Sequence, residues 1–347
     1  MKKRKKNKNS IKALIFIIIL IIAIWGAISF FSSNINKTEN ASTKTDKEEP
    51  KDNTAPEIIL DEENAVIAIG EKYKTNAIAK DDIDGDITSK IEVTNLDTSK
   101  EGKYDVTLSV TDNAGNTTTK TQKVTVRKEL SSDGLPVLMY HFFYDNSKYF
   151  KEDNNWLNIE DFEEQVKYMK ENDFYFPTWE EVEGYIDGKI KLPSKSVVLT
   201  VDDGDASFFD LAVPVLQKYK VPATSFVITS WYGWRYDANM KYVVFESHSD
   251  EMHESGANGK GRMVNWTYNQ IVQDLKKSSE TLGGANVFCY PFGHYNDTAI
   301  KALKDANYIL AFTVEGGRVT KSSNKYKLPR VRVTAGNSLN YFIKSIS

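Results

Sequence analysis

Two clusters of residues could do chemistry. In Val198-Leu-Thr-Val-Asp-Asp-Gly204, the adjacent carboxylates Asp202 and Asp203 end an apolar run. Along a regular strand neighbouring side chains point to opposite faces. Gly204 lets the backbone turn, so both acids can reach one pocket. Two carboxylates at the mouth of an apolar strand need a cation, or one must hold a proton. In Glu246-Ser-His-Ser-Asp-Glu-Met-His253, His248 and His253 stand five apart. That is not one helical face, so a loop must bring them together. An aspartate with two imidazoles leaves positions open around a divalent ion, as a catalytic metal requires. The plainer alternative for the acids is a helix N-cap beside a surface carboxylate, and the histidine pair argues against it. All four histidines (His141, His248, His253 and His294) lie beyond residue 135, at strand ends or in loops.

The elements that must position these residues begin at Leu135. Leu135–His141, Ser196–Val201, Pro222–Thr229, Asn286–Tyr290, Ile309–Val314 and Leu328–Val333 read as strands. Between them lie helical patterns. One follows Asn158 with Ile159, Phe162, Val166 and Met169 on its apolar face, and one starts at the Thr178/Glu181 capping box. Two more cover Thr267–Leu282 and Asp297–Ala306. Alternation of this kind predicts a parallel α/β sheet or barrel. Residues 135–347 are short for eight units, which take about 250 residues, so an incomplete or distorted (β/α) barrel is expected. The trio Trp231, Tyr232 and Trp234 follows one strand, and these rings either stack on ligand rings or pack in the core.

Residues 55–128 have a period of two. Tyr104, Val106, Leu108 and Val110 alternate with polar residues, Asn113-Ala-Gly-Asn116 turns the chain, and Thr117–Val126 returns. Short strands are expected at Glu57–Leu60, Ala65–Ile69 and Lys90–Asn95. About 70 residues of this kind predict a small β-sandwich. The Asp82-x-Asp84-Gly85-Asp86 run lacks the later Glu and flanking helices of an EF-hand, so it reads as an Asx-rich turn. Residues 32–54 are polar and read as a disordered spacer.

Residues 13–31 are uncharged, and residues 1–12 carry seven basic groups and no acid. This pattern predicts a single-pass signal anchor, with a basic cytoplasmic tail and the folded domains extracellular. Cleavage as a signal peptide, with secretion, is the rival reading. The chain has 347 residues and a net charge of -3, so the part beyond the basic tail is acidic, which argues against nucleic acid as a partner. Its one cysteine, Cys289, excludes an internal disulfide framework and a Cys-rich zinc module.

At these residues the chain resembles the polysaccharide deacetylases (carbohydrate esterase family 4, the nodulation-protein-type deacetylase domain). The resemblance covers roughly Leu135 to Val333 and rests on Thr200-Val-Asp-Asp-Gly204, His248-Ser-Asp-Glu-Met-His253 and Cys289-Tyr-Pro-Phe-Gly293. It implies that Asp202 is the catalytic base and that Asp203, His248 and His253 hold a divalent metal, with zinc expected. It implies that the Phe292 N–H serves the oxyanion and that Tyr290 and Pro291 line the substrate site. Trp231 and Trp234 are candidate sugar platforms. Cys289 stands where the family has an arginine that orients the base, so that arginine is expected to be missing. Its expected role is that of a small buried residue. The longer His–His spacing and the Leu135-Pro-Val-Leu-Met-Tyr-His141 start look like the branch acting on poly-N-acetylglucosamine exopolysaccharide. Residues 79–88 and 110–116 resemble bacterial immunoglobulin-like repeats.

The activity implied is removal of N-acetyl groups from N-acetylglucosamine in a cell-envelope or extracellular polysaccharide. Peptidoglycan is the rival substrate. A glycoside hydrolase built on a carboxylate pair needs no histidines, and a non-catalytic polysaccharide-binding protein needs neither cluster intact. Many family members carry a late histidine as general acid, but none follows His294 here. Neither Arg330 nor Arg332 can release a proton. His141, at a strand's C-terminal end, is the candidate acid, and His294 is the second choice. Otherwise Asp202 serves as both base and acid.

Overall fold

The computed structural model describes residues 52–347 except 61 and 257. The expected tail, anchor and most of the spacer lie outside the described residues. No helix among the described residues is long and apolar enough to cross a membrane.

Residues 52–127, about a quarter of the described chain, form strands with one short 3₁₀ turn at Thr88–Lys90. The strands are β1 (Glu57–Ile59), β2 (Asn64–Ala68), β3 (Ile78–Asp81), β4 (Gly85–Asp86), β5 (Glu92–Val93), β6 (Gly102–Thr111) and β7 (Thr117–Arg127). A three-stranded sheet β1-β3-β4 faces a four-stranded sheet β2-β7-β6-β5. Ile58, Ala79, Val106, Leu108, Val110 and Val124 form a buried cluster, which is why the alternating positions of β6 are apolar. The acidic turn is closed on itself. Asp81 Oδ1 accepts the N–H groups of Ile83 and Asp84, and Asp86 Oδ1 accepts that of Thr88. Asp84 accepts from Asn113.

The remainder contains β8 (Val137–Tyr140), β9 (Phe142–Tyr144), β10 (Trp156–Asn158), β11 (Val198–Val201), β12 (Ala223–Val227), β13 (Val243–Ser247), β14 (Val287–Cys289), β15 (Leu310–Gly316) and β16 (Leu328–Arg332). Its helices are α1 (Ile159–Glu171), α2 (Trp179–Ile186), α3 (Val213–Tyr219), α4 (Thr229–Tyr232), α5 (Tyr268–Thr281), α6 (Asp297–Asp305) and α7 (Leu339–Ile346). The strands β11-β12-β13-β14-β15-β16-β8 close a barrel, and every neighbouring pair is parallel. The expected shortfall from eight units is found, and the ring is nonetheless closed. The ring is complete with seven strands, because β8 pairs with both β11 and β16, and seven units fit the short length.

Burial drives this closure. All four residues of β8 and of β11, and all five of β12, are buried, as strands covered on both faces must be. Helix α1 is capped by Asn158 and lays Phe162, Val166 and Met169 against the barrel, each fully buried. Each such side chain contributes roughly 1.5–3 kcal/mol. Strand β13 was not expected from the sequence. Its ladder to β14 has one registered pair, and the buried Glu246 carboxylate accepts the N–H groups of Asn286 and Val287 there. Burial pushes the Glu246 pKa up to about 8.

The sandwich and the barrel meet directly, where Arg127 donates to Asp173 O and Lys191 N–H to Glu71 Oε1, and through the connecting segment. Ser194 N–H donates to Lys128 O and Leu130 N–H to Leu192 O. Residues 192–194 precede β11, so this junction lies at the N-terminal end of the barrel strands.

Candidate active site

Strand β11 ends at Val201, and the next two carboxylates leave the barrel at its C-terminal rim. Asp203 takes φ +73 and Gly204 φ +74. Two successive left-handed residues swing Asp203 onto the same side as Asp202. The positive φ favours glycine at 204, and a Cβ there would lie 3.1 Å from the Val227 side chain, a tight contact. The sequence reading of this turn holds, with Asp203 itself sharing the strain.

The loop after β13 brings in the histidines. His248 Nε2 lies 3.4 Å and His253 Nε2 3.3 Å from Asp203 Oδ1. These three ligand atoms all lie within 4.8 Å of one another. His248 Nδ1 sits 2.8 Å from the Cys289 carbonyl oxygen. A carbonyl only accepts, so Nδ1 carries a proton; burial works to lower the His248 pKa, but its contacts with Cys289, Asp203 and Asp202 hold it well above the ordinary imidazole value, so a cation at Nε2 would take the place of a second proton. Burial and the neighbouring His248 hold the His253 pKa down at about 4, so its ring is a neutral donor at neutral pH. Burial works to raise the Asp203 pKa, but the histidines lower it further and keep it an anion. One carboxylate and two imidazoles match the donor set of a catalytic divalent ion, so the residues present fit the metal that such chemistry needs.

Asp202 is held quite differently. Arg330, wholly buried, projects from β16 and donates Nη1–H to Asp202 Oδ1 and Nη2–H to Asp202 Oδ2, each at 2.7 Å. Its other donors go to Thr313 O, Thr200 Oγ1 and Cys289 Sγ. All of its donor nitrogens are thus engaged, as a buried guanidinium requires. Burial alone would raise the Asp202 pKa, but the Arg330 charge and hydrogen bonds override it and hold the carboxyl well below its ordinary range. The expected absence of an arginine beside Asp202 is therefore corrected. The small Cys289 leaves room, and the guanidinium arrives from a different strand. Cys289 itself is buried and its thiol pKa is raised by burial, so it is no nucleophile.

His141 follows β8 and places Nε2 3.8 Å from Asp202 Oδ2. Burial lowers its pKa against the pull of the two aspartates. Phe292 adopts φ +58 in the turn after β14, and its ring centroid lies 4.3 Å from that of His253.

His141, Asp202, Asp203, His248, His253, Tyr290 and Phe292 line one cavity of about 190 Å³, together with Phe142, Asn155 and Val314. Of the other expected residues, Pro291 is buried and does not line it. Trp231 does not line it either; it is 46% exposed, with its ring 5.7 Å from that of His253. Trp234 is 75% exposed and has the Arg235 guanidinium over its ring, and it lines no part of this cavity. His294 lines a neighbouring depression instead, where its Nδ1 accepts the Gly261 N–H. Asn155 and Phe142 escaped the sequence reading, which weighed Arg330 only as a proton donor and missed its pairing with Asp202. The one signal for Arg330 was a charged residue within the strand-like Leu328-Pro-Arg-Val-Arg-Val333.

Comparison with known proteins agrees with this geometry. Residues 189–311 match the polysaccharide deacetylase family, and residues 58–126 match the bacterial surface protein Ig-like domain. The poly-beta-1,6-N-acetyl-D-glucosamine N-deacetylase of Staphylococcus aureus (strain MRSA252) is 31% identical over 212 residues, covering 56% of this chain and 72% of the relative. The Staphylococcus epidermidis protein of the same name is 30% identical over 204 residues, covering 53% of this chain and 70% of that one. Among solved structures, IcaB from Ammonifex degensii superposes with a TM-score of 0.52 at 26% identity, covering 63% of this chain and 99% of that chain. The Streptococcus pyogenes deacetylase PplD, solved with acetate, gives 0.53 at 23% identity, over 62% of this chain and 100% of that one.

Proposed function

The chain belongs to the polysaccharide deacetylase family, and we propose that it hydrolyses N-acetyl groups from β-1,6-linked poly-N-acetylglucosamine outside the cell membrane. The observation that carries this reading is the convergence of Asp203, His248 and His253 beside an arginine-held Asp202 in one cavity. Staphylococcal relatives named for that substrate support the polymer. The basic tail and the uncharged run 13–31 support anchoring with the catalytic domain outside.

Asp203, His248 and His253 would hold the divalent ion, with zinc the expected metal from a His₂-carboxylate donor set. When bound, the ion supplies Lewis-acid stabilisation of charge developing on the acetamide oxygen. Asp202, fixed as an anion, takes the proton of the attacking water. The Phe292 N–H donates to the oxyanion of the tetrahedral intermediate. The leaving amine needs a proton, and His141, which lines the same cavity as Asp202, is the residue placed to supply it. Acetate departs, and a neutral sugar residue becomes a cationic one. Trp231, exposed beside His253, offers a ring on which a sugar can stack.

Side-by-side assays on poly-N-acetylglucosamine oligomers and on purified peptidoglycan test the substrate. Acetate release from the oligomers is expected, and release from peptidoglycan alone would overturn the reading. His141→Ala should cut turnover by roughly 10²-fold with the metal retained. Near-normal turnover in that variant would leave Asp202 as both base and acid. Removing residues 55–127 should leave turnover on short soluble oligomers unchanged, because the junction lies at the barrel end opposite Asp202. A large loss on such oligomers would show that the sandwich shapes the site.

A further inference from the structure

The five-residue step from His248 to His253 is not helical, and Ser249 takes φ +76 within it. Something outside the loop must fix its shape. Helix α5 presents Asp274, Lys277 and Ser278 at i, i+3 and i+4, which places them on one face. Asp274, 6% exposed, accepts the Asp250 N–H at Oδ1 (2.8 Å) and the Glu251 N–H at Oδ2 (2.7 Å). Lys277 Nζ pairs with Asp250 Oδ2 at 2.5 Å, and Ser278 Oγ lies 2.8 Å from Ser247 Oγ. The other side of the loop is held by α4: Thr229 Oγ1 donates to Asp250 Oδ1, and Ser230 Oγ to Asp250 O.

We propose that Asp274, seconded by Lys277 through Asp250, is a positioning residue that sets the separation of His248 and His253 and so the affinity for the divalent ion. It touches neither the ion nor the substrate. Both of its carboxylate oxygens are spent on consecutive N–H groups midway between the two imidazoles. An amide at this position offers one acceptor and turns an N–H toward the second donor, so the loop loses one of its two pins. The inference rests on the proposed role of Asp203, His248 and His253 as ligands.

The test is titration of Zn²⁺ into the metal-free full chain against a chromophoric chelator. Asp274→Asn should bind Zn²⁺ at least about 10-fold more weakly than the unmodified chain, the range expected for loss of an outer-shell partner. Thermal unfolding of the metal-free forms is measured alongside. A structural role alone would lower that midpoint and leave the affinity of the folded protein unchanged, and that result overturns the proposal. Should Asp274→Asn not fold, Lys277→Met replaces an exposed side chain and should weaken binding about threefold, and unchanged affinity there also overturns it. An unmodified chain that binds no Zn²⁺ would instead refute the ligand assignment.

Discussion

Asp202→Asn is expected to lower acetate release by about 10²–10⁴-fold, the usual scale of a general base. Divalent ion binding should persist, because the ligand atoms belong to Asp203, His248 and His253. The amide keeps the shape of the carboxylate but cannot take a proton from water. It also removes the counter-charge of Arg330, which is wholly buried. Breaking a buried ion pair typically costs about 3–5 kcal/mol, so the variant should unfold at a lower temperature. Turnover must therefore be measured where circular dichroism shows the variant folded. Activity within a few-fold of the unmodified enzyme under those conditions would refute the assignment of Asp202 as base.

Arg330→Met should damage the enzyme from the other side of the same pair. Without the guanidinium, burial is the dominant influence on Asp202, and burial raises a carboxyl pKa. In the unmodified chain the pKa is depressed, so the pair's stabilisation is complete above the unfolded carboxyl value near 3.9 and is lost only as pH falls through the lower folded value. In the variant that stabilisation is gone, and the base is protonated at a higher pH. The acid limb of the pH–rate profile should move up, and turnover at pH 6 should fall more than turnover at pH 8. Combining Asp202→Asn with Arg330→Met removes both charges, and the double variant should be more stable than either single one. An unmoved acid limb would show that Arg330 does not set the state of the base.

The division into strands, helices and turns was largely legible because burial imposes a period. The two-residue alternation of β6 and the apolar face of α1 both survive in the structure. Asp202, Asp203, His248 and His253 were legible because few residue types can hold a metal and these sit at strand ends. Strand β13 was not, since Val243-Val-Phe-Glu-Ser247 mixes a buried carboxylate into a short apolar run. The pairing of Arg330 with Asp202 was missed for a related reason. Charged residues are almost never fully buried unless paired, and its partner lies 128 positions away in sequence. Barrel closure has no local signal either, because β8 meets β16 only through long-range pairing. The pinning of the histidine loop by Asp274 is likewise a contact between elements that only the fold brings together.

The central claim is metal-dependent N-deacetylation of a polymer whose chain stays intact. The most direct measurement follows acetate, free amine and oligomer length on poly-N-acetylglucosamine oligomers, first after chelation and then after a divalent ion is restored. The account predicts negligible turnover in the chelated enzyme. With the ion restored, acetate and amine should appear in equal amounts at constant oligomer length. Chelator-insensitive activity that shortens the oligomers without releasing acetate would contradict it.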